Sequence, residues 1–539
     1  MTDLRSGGQW VVDALAAEGT RHVFGIPGVH NLAIYDALAG RPGLTHVLAR
    51  HEQGAAFMAD GYARASGEPG VIAVTTGPGA TNALTPLVEA YASSVPLLLL
   101  MSDIPAALIG KNLGALHEVP NQIDCFRPLT RWAEVVREGA AIAPAVQAAF
   151  ERLRSARPGP VALSIPTDLL MARSPGALHA PRGERPRCDA ALVERAAERL
   201  RSARRPLVIT GGGVVAAGAE AELGAVVRRL GAAVITTVNG RGAVPETDPA
   251  WLGVLPNRLA TQPALEAADV ILAVGCRFAH RSTKGLLLNL NLRPEQALIH
   301  LDLDPEEIGR LFVAEIGLAG DARDGLAGLL AALGPGGATT EWDRAALVRQ
   351  RDARWPRWTE TDARLIRMLR EALPPDGIVV NDQTGLNYWM EWHFPVLAPR
   401  TFLYPIGSAT LGYGVPAAIG ARIARPDRPV IAVVGDGGFL FSVGELATAV
   451  KYALPVVFLV LNDNRYGAIK YLQEAMFAGR WSEADLANPD FAALARAFGA
   501  EGQLVKQVDD LPRALARALA HPGPTVLELP IAIDPPWEL

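Results

Sequence analysis

One pattern recurs three times along this chain: an apolar strand, a glycine-rich turn, a helix and a second apolar strand. It occupies residues 71–102 (VIAVTTGPGATNALTPLVEAYASSVPLLLLMS), 206–238 (PLVITGGGVVAAGAEAELGAVVRRLGAAVITTV) and 428–467 (RPVIAVVGDGGFLFSVGELATAVKYALPVVFLVLNDNRYG). A helix of that length between two continuous β-rich runs makes a right-handed βαβ unit. Strands apolar on both faces belong in a parallel sheet covered by helices on both sides. The expected fold class is therefore α/β, with three Rossmann-like, doubly wound parallel-sheet domains. A length of 539 residues, half of them hydrophobic, gives core enough for three or four domains. Residues 172–187, rich in Pro, Arg and Gly, and 334–340 (GPGGATT) differ in composition and read as linkers. The expected domains are 1–170, 188–335 and 355–539.

The third repeat carries the densest chemistry. It reads as a strand at 429–434, a Gly-Asp-Gly-Gly turn at 435–438, a helix near 442–452 and a strand at 456–461 that ends in Asn462-Asp463-Asn464. Adjacent parallel strands open at the same edge, so Asp436 and Asp463 are expected to be neighbours there. Glycines at that edge let backbone N–H groups approach a phosphate, and a carboxylate beside them can hold a hard cation. The local inference is a Mg²⁺-bridged phosphate ester. A plainer reading of the same residues is a tight turn and a helix-capping aspartate. In the first domain, residues 51–65 read as a helix with Ala55, Met58, Ala59 and Tyr62 along one face, which puts Glu52 in its first turn. A glutamate there can also simply oppose the helix dipole. The turn at 76–82 (TGPGATN) again aims backbone donors at the carboxyl edge, although glycines in such turns can be turn formers alone.

Charge narrows the partners. Net charge is -5 with basic residues scattered, which excludes neither sign of small ligand but suggests no nucleic acid and no anionic membrane. Cys125, Cys188 and Cys276 lie far apart without metal-type spacing, and the first residues, MTDLRSGGQW, lack an apolar signal core. A reducing, cytoplasmic setting is expected. Apolar runs such as 95–101 and 456–461 fall far below the ~18 residues that span a bilayer.

The ordered set RHEQGAAFMADGYAR, TTGPGATN and GDGG followed by LNDN resembles the thiamine-diphosphate-dependent 2-oxo acid decarboxylases and carboligases, in particular their acetolactate-synthase-like branch. The resemblance covers essentially the whole chain, in the order pyrimidine-binding, central and diphosphate-binding domain. It implies Mg²⁺ held by Asp436, by Asp463 and by the backbone carbonyl of Arg465. Gly435, Gly437, Gly438 and Tyr466 would line the diphosphate, with Thr384, Leu386 and Asn387 on its other side. Leu411 would wedge beneath the thiazolium and the Ala409 carbonyl would receive the pyrimidine amino group. Pro78 and Asn82 would border the pyrimidine, and Glu52 would protonate its ring nitrogen. Asp463 departs from the family's usual asparagine. The second carboxylate should bind metal at least as well but repel the diphosphate more; alternatively Asn462 or Asn464 is the ligand.

The implied reaction is non-oxidative decarboxylation of a 2-oxo acid, after which the enamine is either ligated to a second carbonyl compound or protonated to an aldehyde. The resemblance also implies that Glu52 and the Asp436 site come from different subunits of a homodimer, and that two dimers form a homotetramer. In the pocket the match loosens. His30, in GIPGVH, and His117 and Gln122, in LHEVPNQ, are the further catalytic candidates, and each histidine could equally cap a loop. Leu472 stands where many acetolactate synthases carry a tryptophan. These runs look closer to the subgroup acting on larger 2-oxo acids, such as guanidino-oxopentanoate decarboxylase, or on cyclic diketones.

In the central domain Gly211-Gly212-Gly213, Gly275-Cys276-Arg277-Phe278 and His300-Leu301-Asp302, each after a strand, resemble the dinucleotide places of flavin-containing relatives. The chemistry needs no electron acceptor, so FAD is the lesser expectation and would have no redox role. The rival classes are a nicotinamide-linked oxidoreductase and an inactive nucleotide-binding scaffold. Neither accounts for Asp436, Asp463 and Glu52 together, and no G-x-G-x-x-G with its later acidic residue is present.

Overall fold

The computed structural model of the chain describes residues 4–180, 183–255, 257–280, 292–337, 340–354 and 359–537. Three six-stranded sheets, all of their pairings parallel, follow one another along the chain. The first runs in space Thr45–Leu48, His22–Gly25, Gly70–Val74, Leu97–Asp103, Pro160–Pro166, Trp132–Val135. The third repeats that order with Phe402–Leu403, Ile378–Asn381, Val430–Gly435, Val456–Asn462, Thr525–Pro530 and Glu501–Leu504. The central sheet starts at the edge strand Trp251–Val254 and steps inward through Ala233–Thr236 to Pro206–Thr210. It then runs out through Val270–Val274 and Ala297–Asp302 to Ile316–Ala319. Each order reverses direction at one inner pair of strands, and the first and third also exchange their last two strands; at the inner reversal the two neighbouring loops diverge and leave a crevice beyond the strand ends. Those crevices lie between His22–Gly25 and Gly70–Val74, between Pro206–Thr210 and Val270–Val274, and between Ile378–Asn381 and Val430–Gly435.

The strands are apolar throughout because both faces are covered; all five residues of Gly70–Val74 and all six of Val430–Gly435 are buried. The first and third sheets share one core. Phe24, Met58 and Leu99 belong to the same cluster as Ile419, Ala432 and Phe458. Its centre is the crossing of helices Glu52–Ser66 and Gly414–Ala424. There Gly61 faces the Ala417 carbonyl and Gly420 faces that of Met58, so a side chain at either position would collide with backbone.

Some expectations shift. The helix expected near 442–452 begins instead at Asp436, directly on the strand end, and continues after a break at Ser442 as a 3₁₀ turn Val443–Glu445 and a helix Leu446–Lys451. Low helix propensity at Gly437 and Gly438 is overridden because the turn is fully packed and Asp436 Oδ1 accepts the Gly437 N–H. His300, Leu301 and Asp302 lie within a strand rather than after it. Part of the first expected linker forms a short strand, Arg173–Pro175, antiparallel to Leu4–Ser6. Parts of both linkers, 181–182 and 338–339, lie outside the described residues, as do 355–358 at the expected start of the third domain.

Candidate active site

At the crevice of the third sheet, Asp436 opens a helix with its carboxylate almost wholly enclosed. Oδ2 accepts a 2.6 Å hydrogen bond from Asn488 Nδ2, which also donates to Asn462 Oδ1 at 3.1 Å. Asn462 is further engaged, donating to Glu528 at 2.9 Å and accepting from the Asn464 N–H at 3.2 Å. Asn464 is exposed with φ +54°. Asp463 is the residue left facing Asp436. Burial pushes its carboxyl above the ordinary 3.8, the Arg465 hydrogen bond at 2.8 Å opposes this, and the Asp436 charge adds to it. The guanidinium of Arg465 thus offsets the extra charge that an aspartate brings here.

Gly437 lies under the Tyr466 ring, 2.6 Å from where its Cβ would be, and a Cβ on Gly438 would stand 3.1 Å from Asp382. Backbone N–H groups are therefore the only groups these positions present, as a phosphate cradle requires. Among the described residues no group of three or more His, Cys, Asp or Glu side chains could hold a metal alone. An ion between Asp436 and Asp463 would need further oxygens, and a diphosphate together with a backbone carbonyl supplies them. The residues present fit thiamine diphosphate with a hard divalent cation.

Asp382 ties this crevice together. Its Oδ1 accepts the Gln383 N–H at 2.7 Å and its Oδ2 the Gly414 N–H at 2.8 Å, so one buried carboxylate fixes both the Thr384 turn and the loop that carries Ala409 and Leu411. Leu386 is buried in the core, and Asn387 is buried with its amide on the Asp382 carbonyl. Leu386 and Asn387 therefore point inward, and half-buried Thr384 with the backbone at the start of helix Gly385–His393 remains on that side of the crevice. Ala409 sits at φ +54° and Leu411 is half-buried beside Gly412, whose Cβ would stand 2.7 Å from Phe441.

Burial lifts the Asp382 carboxyl from 3.8 to about 6. A raised folded value means that its contribution to stability is complete below the unfolded value and is lost as pH rises through about 6. Asp382→Asn should therefore flatten the thermal-stability profile between about pH 4 and 6. A melting-temperature series showing the wild-type slope unchanged in the variant would contradict this.

In the first domain Glu52 is the first residue of helix Glu52–Ser66. Asn82 Nδ2 donates to its Oε2 at 2.9 Å, while Oε1 stands 3.3 Å from where a Gly79 Cβ would be. Pro78 is exposed at the start of the short helix Pro78–Thr81 between them. Beyond Gly77, His117 (φ +65°) faces His30, with ring centroids 5.3 Å apart, and the buried Nδ1 atoms of both have no hydrogen-bond partner among the described residues. Burial, then His117, pushes His30 below 6.5, and Asp103 opposes the shift. Asp103 itself is buried, held by the Ser164 hydroxyl at 2.5 Å and the Ile104 N–H at 2.8 Å.

Gln122 does not join the histidines. Its Oε1 accepts the Thr76 hydroxyl at 2.6 Å and the Gly77 N–H at 2.7 Å, and its Nε2 donates to the Ser102 carbonyl at 3.0 Å. Buried and engaged by these bonds, it braces the 76–82 turn. Asn488, Asp382 and Glu528 escaped the sequence reading. Only Glu528, a lone charge within the apolar strand Thr525–Pro530, carries a sequence signal.

The central crevice opens into a cavity of about 510 Å³ lined by Gly212, Asn239, Cys276, Arg277, Asp302 and Arg400. The glycines there also serve packing: Gly213 lies against Gly275, whose Cα would stand 2.6 Å from a Cβ on Gly213, where the turns after two neighbouring parallel strands meet.

Three domain families match in the same order: thiamine pyrophosphate enzyme N-terminal TPP-binding domain over residues 5–125, central domain over 193–329, and C-terminal TPP-binding domain over 382–529. The chain is 41% identical to a probable 2-ketoarginine decarboxylase of Pseudomonas aeruginosa, over 97% of this chain and 94% of that protein. It is 35% identical to a probable acetolactate synthase large subunit of Methanocaldococcus jannaschii, covering 98% and 92%. The large subunit of acetolactate synthase isozyme 2 of Escherichia coli is also 35% identical, covering 99% and 97%.

Proposed function

Because the chain belongs to the thiamine-diphosphate-dependent, acetolactate-synthase-like family of 2-oxo acid decarboxylases and carboligases, we propose that it decarboxylates a larger 2-oxo acid and releases the aldehyde. The observation that carries the choice of product is the His30–His117 pair beside the Glu52 turn, two imidazoles facing each other with buried Nδ1 atoms unpartnered among the described residues. A pocket that ends in a protonation needs such donors. Similarity to a protein called a 2-ketoarginine decarboxylase makes a guanidino-bearing 2-oxo acid the first substrate to test.

Bound at the third-sheet crevice, the cofactor would supply the electron sink for loss of CO₂. Asp436 and Asp463 would hold Mg²⁺, aided by the Arg465 carbonyl, and the phosphates would take the N–H of Gly438, and that of Gly437 in place of its bond to Asp436 Oδ1. Glu52, oriented by Asn82, would exchange a proton with the pyrimidine ring nitrogen. His30 and His117 would deliver the proton that ends the reaction, and the half-buried Leu411 would support the ring above it. FAD takes no part in this chemistry, because no electrons are consumed or released.

Two copies would form the working unit. Among the described residues no hydrogen bond joins Glu52 or Asn82 to Asp436 or Asp463, and each half-site is rimmed by exposed apolar side chains. These are Val29, Leu113 and Leu116 on one side, and Phe441, Met476 and Trp481 on the other. Patches of this kind commonly mark association surfaces.

The test is incubation with thiamine diphosphate, Mg²⁺ and a panel of 2-oxo acids, with CO₂ and products read by mass. Aldehyde from a guanidino-bearing or other bulky acid is the expected result. Acetolactate from pyruvate as the main product would replace this reading with the synthase.

A further inference from the structure

Strand Thr45–Leu48 is the outer strand of the first sheet, and the chain leaves it directly for Arg50, His51 and Glu52. Its unpaired side meets the third domain. Glu445, Thr448 and Tyr452, spaced i, i+3 and i+7, fall on one face of the helical segment that follows the Asp436 turn. Tyr452 Oη accepts the Leu48 N–H at 2.8 Å and donates to the His46 carbonyl at 3.3 Å. Glu445 Oε1 accepts the N–H groups of Arg50 at 3.1 Å and His51 at 3.0 Å, and Thr448 donates to Glu445 Oε2 at 2.7 Å. A polar helix face thus does for this strand edge what a neighbouring strand would do, and it does so for the residues immediately before Glu52.

Burial is complete enough to make these bonds count. Glu445 and Thr448 are each 1% exposed, and a buried N–H that loses its acceptor is costly. The sequence makes room for the carboxylate: a Cβ on Gly54, in the first turn of the Glu52 helix, would collide with Glu445. A carboxylate there also faces the positive end of a helix of 15 residues. The Asp436 turn and the Glu52 turn are therefore joined through nine residues of the third domain, 437–445.

We propose that Glu445, braced by Thr448, is the positioning residue for Glu52, fixing the backbone from which the proton-exchanging carboxylate springs. This rests on the role of Glu52 given above. The third domain then does two separate jobs, holding the cofactor through Asp436 and setting the carboxylate of the first domain through Glu445.

The test compares Glu445→Ala and Glu445→Gln in the full chain. Amide hydrogen exchange of the peptide spanning residues 46–54 is measured without cofactor. Thiamine diphosphate affinity and the exchange rate of the thiazolium C–H are measured at saturating cofactor and Mg²⁺. Glu445→Ala should speed amide exchange at 50–51 and slow thiazolium C–H exchange by about 10-fold or more, since small misplacements of reacting groups carry costs of that order. Cofactor affinity should stay within about 3-fold, and Glu445→Gln, which keeps an acceptor oxygen, should restore most of the rate.

Unchanged amide exchange at 50–51 in Glu445→Ala would overturn the proposal, and so would a rate loss that Glu445→Gln shares in full. If Glu445→Ala does not fold, Thr448→Val and Tyr452→Phe loosen the same edge and are read the same way. Should Glu52→Gln keep full thiazolium exchange, the reading of Glu52 fails instead, while amide exchange still reports whether Glu445 holds the turn.

Discussion

Glu52→Gln is expected to retain thiamine diphosphate and Mg²⁺ and to lose about 10²–10³-fold in kcat, within the range that a positioned acid–base group contributes. The variant is nearly isosteric, and its amide oxygen can still accept the 2.9 Å hydrogen bond from Asn82 Nδ2. The Arg50 and His51 N–H groups stay on Glu445, so the turn itself is not disturbed. What disappears is the capacity to give and take a proton. Binding measured by equilibrium dialysis and turnover measured with the best substrate from the panel separate the two effects. Full turnover in the variant would remove Glu52 from the mechanism.

The features of this site that were legible in the sequence are those whose role is local. Glu52 in a first turn, the glycines of the 76–82 turn and Asp436 at a strand end all follow from position along a βαβ unit. The three parallel sheets likewise follow from apolar runs with turns between them. The residues that were missed act across the fold. Asn488 reaches Asp436 from 52 positions away, Glu445 reaches Arg50 across 395, and Asp382 bonds Gly414 from 32 away. None of these has a local signature, since each reads as an ordinary polar residue until the two chain segments are placed together.

Tertiary packing adds to some local readings a role that the sequence does not show. Gln122 looked available, yet its amide is consumed by Thr76, Gly77 and Ser102. Leu386 and Asn387 looked like ligand contacts in a turn, yet the helix that begins there turns both inward. The central glycines looked like a phosphate loop, and close approach of two backbones explains them equally well. The two histidines, catalytic candidates one by one in sequence, are seen as a pair only from their 5.3 Å ring separation.

Asp436→Ala carries the second large expected effect, loss of Mg²⁺-dependent cofactor binding by about 100-fold or more, since even indirect partners of a metal ligand are worth 10–100-fold. The argument turns on how the two carboxylates differ. Among the described residues Asp436 has only neutral hydrogen-bond partners, the Asn488 amide and the Gly437 N–H, so its full charge remains for a cation. Asp463 is already paired with the Arg465 guanidinium at 2.8 Å. Asp463→Asn, the family's usual residue, should therefore weaken Mg²⁺ binding by no more than about 10-fold, the scale of one partly screened interaction. It should also relieve repulsion of the diphosphate. Titrating Mg²⁺ at fixed thiamine diphosphate, with tryptophan fluorescence as the readout, distinguishes the pair. Retained affinity in Asp436→Ala would move the metal elsewhere. Equal losses in both variants would mean that Arg465 does not shield Asp463 once the ion is bound, and the two carboxylates would then act as equivalent ligands.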